Sequence, residues 1–145
     1  MDCTPAPTTT SIHHALGSDD LMTSQNFEFI RPDWEALATL GGFAERYVHT
    51  DPSSALVKLR SFGEVLVDYL YDHHRLAPPP QSGQFEQLTD AMFESAVPRA
   101  VRDKLHGLRK QGNRAAHGHA MQAATSTWML KEAFEGTMRS TAMIM

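Results

Sequence analysis

The strongest constraint on the fold is the spacing of the apolar residues, which recur every three or four positions along much of the chain. Such a period places apolar side chains along one face of an α-helix, whereas a half-buried strand shows strict alternation. The sequence contains no alternating β-branched runs. The pattern therefore predicts an all-α protein with four to five helices packed as a bundle.

Proline and cap residues indicate where these helices begin. The first helix is expected to begin near Pro32, where the missing N–H costs nothing. The second has a clear start at Asp51, an N-cap residue followed by a proline, and three prolines at positions 78–80 stop it. A shorter helix is expected over residues 84–95, and Pro98 begins the next one.

The Gly112-Asn113 pair predicts an end of that helix or a kink within a longer one. The last helix is then expected over residues 115–137, with Trp128, Leu130 and Phe134 as its apolar anchors.

Both ends of the chain have weaker patterns. Residues 1–25 are predicted to be a disordered leader because they are rich in Thr and Pro, and residues 1–21 could precede the native start. The helical domain spans residues 26–137, and residues 138–145 are predicted to be a loose tail. With one cysteine, Cys3, and neither a secretory signal nor an apolar run of membrane-spanning length, we expect a cytoplasmic protein without disulfides.

Charge is distributed unevenly along the chain. Residues 98–119 contain six basic residues and one acid, so this segment carries +5 in a chain whose net charge is −4. A basic patch on an acidic body is typical of a phosphate-facing surface, although a solvated helix face can have the same composition. The predicted nucleic-acid-binding residues are Arg99, Arg102, Lys104, Arg109, Lys110, Arg114 and His117.

Residues 109–119 also contain the groups that could carry chemistry. Asn113 and His117 are four residues apart, which places them on one helix face, and Arg109 and Arg114 are close in sequence. These groups could bind a phosphate, or cleave RNA without a metal, with His117 as general acid or base and an arginine stabilising the phosphate. The structural alternative is that Asn113 caps a helix and His117 packs at the end of the bundle.

The residues of this segment resemble a known family. Residues 109–117 read Arg-Lys-Gln-Gly-Asn-Arg-Ala-Ala-His, similar to the Arg-x-x-Gly-Asn-x-Ala-Ala-His signature of a HEPN-related helical domain. That domain occurs at the N-terminus of the restriction (R) subunit of type I restriction–modification enzymes. Other similar stretches follow the same order within residues 26–135, namely residues 26–29, 32–34, 43–47, 54–60 and 128–134.

The resemblance implies a HEPN-like fold and a role in phage defence. The parent R subunit is an ATP-dependent enzyme with nuclease and motor domains, but this chain contains neither a Walker A pattern nor a nuclease metal signature. We therefore expect no catalytic activity from the chain by itself, and neither a cofactor nor a metal. HEPN ribonucleases carry an arginine directly before the polar residue of the motif, and here Gly112 stands in that position.

Three hypotheses follow. The leading one is a non-catalytic helical module related to the type I R subunit, which binds DNA or RNA or docks with other restriction or defence subunits. The alternative is a metal-independent HEPN-type ribonuclease, a toxin or phage-defence effector, for which a homodimer is the typical arrangement. Its catalytic residues would be His117, Asn113, Arg109 and Arg114. The third is a truncated remnant of a longer gene, suggested by the weakly patterned end of the chain.

Overall fold

The computed structural model describes residues 23–80 and 83–144, and this part of the chain contains helices and no strand. The all-α prediction is therefore confirmed for the described residues. A 3-10 turn, Glu28–Ile30, precedes six α-helices. They are α1 (Glu35–Tyr47), α2 (Pro52–His73), α3 (Gln84–Thr89), α4 (Ala91–Ala96), α5 (Arg99–Ala116) and α6 (Ala123–Ile144).

Helix α2 is the centre of the bundle, because α1, α5 and α6 all pack against it. Its start is as predicted: the Asp51 side chain accepts a hydrogen bond from the backbone N–H of Ser54 at 3.2 Å. A carboxylate in this position satisfies one of the free N–H groups of the first turn. Phe62, near the middle of α2, is fully buried, and its ring lies 5.1 Å from that of Phe27.

The region between α2 and α5 agrees with the prediction at its start and differs in the number of helices. Helix α2 ends at His73, ahead of the three prolines as predicted, and Arg75 follows with a φ of 56°. The single helix expected over residues 84–95 is two helices, because Asp90 has an extended backbone and starts a new one. Its carboxylate accepts hydrogen bonds from the backbone N–H groups of Met92 and Phe93.

The C-terminal third requires three corrections. Helix α5 continues through Gly112 and Asn113 to Ala116, and the last helix begins at Ala123. Residues 138–144, expected to form a loose tail, are the last turns of α6, where the fully buried Ser140 hydroxyl donates to the Gly136 carbonyl. Trp128, expected as an apolar anchor, is 55% exposed. Much of the buried face of α6 consists of small and polar side chains, such as Ala133, Thr137 and Ser140. A search for recurring apolar residues does not detect such a face.

The last residues of the predicted leader, 23–25, belong to the folded part. The Glu45 carboxylate on α1 accepts hydrogen bonds from the backbone N–H groups of Gln25 and Asn26 and from the Ser24 hydroxyl. Nearby, hydrogen bonds from Arg31 and from the Ser24 backbone lower the pKa of Glu28 to about 2. The remainder of that leader, including Cys3, lies outside the described residues.

Candidate nucleic-acid interface

Helix α5 carries the basic segment, and its sequence determines which face is buried. The buried residues Val101, Leu105, Leu108, Gly112 and Ala115 recur at three or four positions and form one stripe. Packing of α5 on α2 covers that stripe. The charged residues occupy the rest of the helix circumference, as the sequence predicts.

Gly112 allows α5 and α2 to approach closely. A Cβ atom at this position would overlap the Cβ of Arg60 and would lie 2.9 Å from the backbone oxygen of Leu56. Neither atom is at the end of a flexible side chain. Gly112 therefore serves a close helix crossing within a continuous helix, where the sequence had indicated a break or kink.

Asn113, expected to cap a helix or face a phosphate, contacts α2 instead. Its side-chain oxygen accepts a hydrogen bond of 3.2 Å from Nη1 of Arg60, and both residues are half-buried. Nε of Arg60 is buried and has no hydrogen-bond partner among the described residues. The motif thus joins two helices through a residue that is 53 positions away in sequence.

Three of the predicted cations are engaged with groups of the protein itself. Arg99 lies 3.6 Å from the carboxylate of Asp103 and is 84% exposed. Arg102 donates from Nε to the carbonyl oxygen of Val97 at 2.9 Å, and its side chain is 20% exposed. Of these two arginines, Arg99 is therefore the one whose side chain can reorient toward a ligand.

Lys104 is the third engaged cation. Its Nζ lies 3.0 Å from Glu132 and 3.1 Å from Glu135, both on α6. Burial opposes the charge of Lys104, but the hydrogen bonds and charges of the two glutamates outweigh burial and raise its pKa. Lys104 therefore joins α5 to α6, and its charge is balanced inside the protein.

The remaining predicted cations lie toward the C-terminal end of α5. Lys110 and Arg114 are exposed, and no acidic side chain among the described residues forms an ion pair with them. Arg109 is half-buried, with its guanidinium 5.1 Å from the centre of the Phe85 ring. Among the described residues the basic segment thus contributes one group of cations without an acidic partner, Arg109, Lys110 and Arg114, which we call the α5 cation group.

His117 is the C-cap residue of α5, where its backbone N–H donates to the Asn113 carbonyl. Its side chain is exposed, and no ring hydrogen bond is formed with the described residues. Gly118, with a φ of 83°, then turns the chain away from the helix. The structure therefore places His117 at the surface, one turn beyond Asn113, and it does not pack at the end of the bundle.

A groove beside the α5 cation group contains two residues that the sequence had not singled out. It has a volume of about 440 Å³ and is lined by Phe85, Asp103, His106, Gly107, Arg109 and Lys110. Phe85, on α3, is 49% exposed, and its ring centre lies 6.4 Å from that of His106. In the sequence, Phe85 recurs with Leu88 and Met92 at the three- to four-residue spacing of a buried helix face. Its position at the surface is therefore evident only from the fold.

His106 is electrostatically coupled to its neighbours in this groove. Burial, followed by the positive charges of Arg109 and Lys110, lowers the pKa of His106 below its usual value. Nδ1 of His106 lies 3.5 Å from Nη2 of Arg109, a geometry that suits a neutral ring accepting a hydrogen bond. His106 therefore favours the neutral state and adds a polar, uncharged wall to the groove.

The described ranges 23–80 and 83–144 contain neither a candidate metal site nor a candidate membrane span. No group of three or more His, Cys, Asp or Glu residues is arranged to hold a metal ion there. None of the helices in those ranges combines the length and apolar character that crossing a membrane requires.

Comparison with known proteins gives one informative similarity. The chain is 30% identical over 97 residues to the endonuclease subunit of the type I restriction enzyme EcoKI of Escherichia coli (strain K12). The aligned region covers 67% of this chain and only 8% of that subunit. No family model and no solved structure matches the chain. The chain is thus similar to a small part of a restriction enzyme subunit, in agreement with the resemblance in the sequence.

Proposed function

We propose that this chain is a helical module of a restriction-type assembly that binds nucleic acid through the α5 cation group. The observation that carries the proposal is that Arg109, Lys110 and Arg114 are clustered on one helix without acidic partners among the described residues. The similarity to a type I restriction enzyme subunit supplies the context. A HEPN-like fold and a role in phage defence belong to the same proposal.

The binding mode follows from the positions of these charges. Lys110 and Arg114 are four residues apart and lie on one face of α5, and Arg109 is adjacent to Lys110 and lines the same groove. A nucleic acid backbone offers successive phosphates, which these cations can neutralise. The charges of Lys104 and Arg102 are directed elsewhere, so they contribute little to this surface.

The test is to measure binding to labelled DNA and RNA at increasing salt concentrations, with fluorescence anisotropy as the readout. Each neutralised phosphate contributes a slope of about −0.9 for duplex DNA and about −0.7 for single strands in log K against log salt. Three cations therefore predict a slope of about −2 to −3. Lys110→Gln should reduce this slope by about 1 and weaken binding to all sequences alike.

A charge-matched control is available on α6. Lys131 is exposed and lies 5.2 Å above the ring of Trp128, away from the α5 cation group in sequence and on a different helix. Lys131→Gln makes the same change in net charge, and its slope should equal that of the unmodified protein. Absence of binding to DNA and RNA at low salt would refute nucleic-acid binding and leave docking to protein subunits as the function.

One observation supports a second candidate function, metal-independent RNA cleavage. Gly112 stands where HEPN ribonucleases carry an arginine, but Arg60 on α2 places its guanidinium at Asn113. The exposed side chain of His117 lies one helical turn beyond Asn113. Incubation of the protein with RNA in a metal chelator is the test. Cleavage that disappears in His117→Ala would favour this function, and intact RNA would exclude it.

A further inference from the structure

The exposed ring of Phe85 distinguishes the groove beside α5 from an ordinary charged helix surface. The same short helix buries Leu88 completely, so α3 has its core contact without Phe85. Phe85 is instead 49% exposed, covered on one side by the guanidinium of Arg109 at 5.1 Å. A half-exposed aromatic ring bordered by cations is the combination that surfaces for unpaired bases use.

The groove has room for a base and charges for its phosphates. The groove is an open surface depression of about 440 Å³, so a flat base can enter it from solvent. Lys110 borders it and is exposed. The single acidic residue that lines it, Asp103, already lies 3.6 Å from the guanidinium of Arg99, so its charge is partly balanced.

From this geometry we infer that the groove takes an unpaired base of a single-stranded nucleic acid, stacked on Phe85, with the flanking phosphates at Arg109 and Lys110. This inference rests on the proposed nucleic-acid binding and names its substrate class. The bases of a duplex already stack on each other, so they cannot offer a face to Phe85. The α5 cation group can still attract a duplex, but only a single strand gains the contact with the ring.

The experiment compares the affinities of a labelled single strand and of the duplex with the same sequence at one salt concentration. Stacking of one base is worth about 1–3 kcal/mol, which corresponds to about a 5- to 150-fold change in affinity. Phe85→Ala should weaken single-strand binding by such a factor and weaken duplex binding much less, because the duplex loses no stacking contact. Phe85→Trp should retain single-strand binding, because indole also offers a stacking face.

Phe85→Leu is the decisive control, since leucine keeps an apolar side chain of similar size and removes the aromatic face. It should weaken single-strand binding as Phe85→Ala does, and circular dichroism should show that both variants keep their helices. The inference is overturned if Phe85→Leu binds like the unmodified protein, or if Phe85→Ala weakens duplex binding equally. Salt-dependent binding that is the same in the Phe85 variants would overturn this inference and leave the proposed function intact. Absence of any binding by the unmodified protein at low salt would overturn both.

Discussion

The guanidinium of Arg60 donates a hydrogen bond of 3.2 Å to the side-chain oxygen of Asn113, across the interface of α2 and α5. Asn113 belongs to the sequence motif from which a phosphate contact was expected, yet its oxygen is directed into the protein. A guanidinium that is half-buried needs such acceptors, because burial without them costs free energy. The Gly-Asn pair of the motif therefore serves first to pack and join two helices.

Asn113→Ala should lower the free energy of unfolding by about 1–3 kcal/mol, because Arg60 then has an unpaired Nη1 in addition to its unpaired Nε. The affinity for nucleic acid should change less than twofold. Urea unfolding and fluorescence anisotropy measure the two quantities on the same preparation. A variant with unchanged stability and much weaker binding would assign Asn113 to the ligand instead.

Gly112→Ala should destabilise the protein by about 1–3 kcal/mol, since the new methyl group meets the Arg60 Cβ and the Leu56 backbone oxygen. Gly107→Ala is the matched control on the same helix. A Cβ there would lie 3.6 Å from the sulfur of Met129, an ordinary contact, so the change should stabilise α5 by up to about 1 kcal/mol. Urea midpoints that shift in the same direction for both variants would contradict this explanation.

Lys104→Met should lower stability by about 1–3 kcal/mol, because Glu132, whose side chain is 18% exposed, loses its cation. Binding to nucleic acid should be unaffected at temperatures where the variant is folded, since Lys104 faces α6. The double replacement of Lys104 by Met and Glu132 by Leu should recover part of the loss by removing the unpaired charge as well. Thermal unfolding of the three proteins provides the comparison, and equal stability of all three would show that the ion pairs are energetically silent.

The lowered pKa of His106 predicts a pH dependence of stability. Above about pH 6.5, the usual pKa of an unfolded histidine, the His106 ring is neutral in the folded and the unfolded state, so it adds no pH dependence to stability. As the pH falls below that value, the unfolded chain takes up the proton first, so stability is lost. His74, whose pKa is also lowered by burial and by His73, acts in the same direction.

We therefore expect the urea midpoint to decrease between pH 7.5 and pH 5.5, and His106→Gln should make this decrease smaller. His74 accounts for the part that persists in the variant. The comparison concerns the difference between the two pH values, so any constant effect of the substitution cancels. An identical decrease in both proteins would show that His106 does not contribute.

Much of the fold could be predicted because it depends on local rules. The cap at Asp51 requires only a carboxylate beside the first turn, and the buried stripe of α5 follows from residues three or four apart. The Gly112-Asn113 pair left a helix end and a longer helix open, because glycine and asparagine are common at helix ends, and the structure shows the longer helix. The reason for the glycine is the backbone of α2 lying against α5, and the local sequence does not contain this contact.

For the candidate site, the sequence predicted which segment of the chain is basic but not which of its side chains face solvent. The sequence by itself determined an α-helical chain with its positive charge concentrated on one amphipathic helix, because periodicity and charge are properties of neighbouring residues. Only the tertiary structure decided which charges remain available, since the partners of Lys104 are on α6 and that of Asn113 is on α2. It also placed Phe85 beside Arg109, and such contacts depend on how distant helices pack.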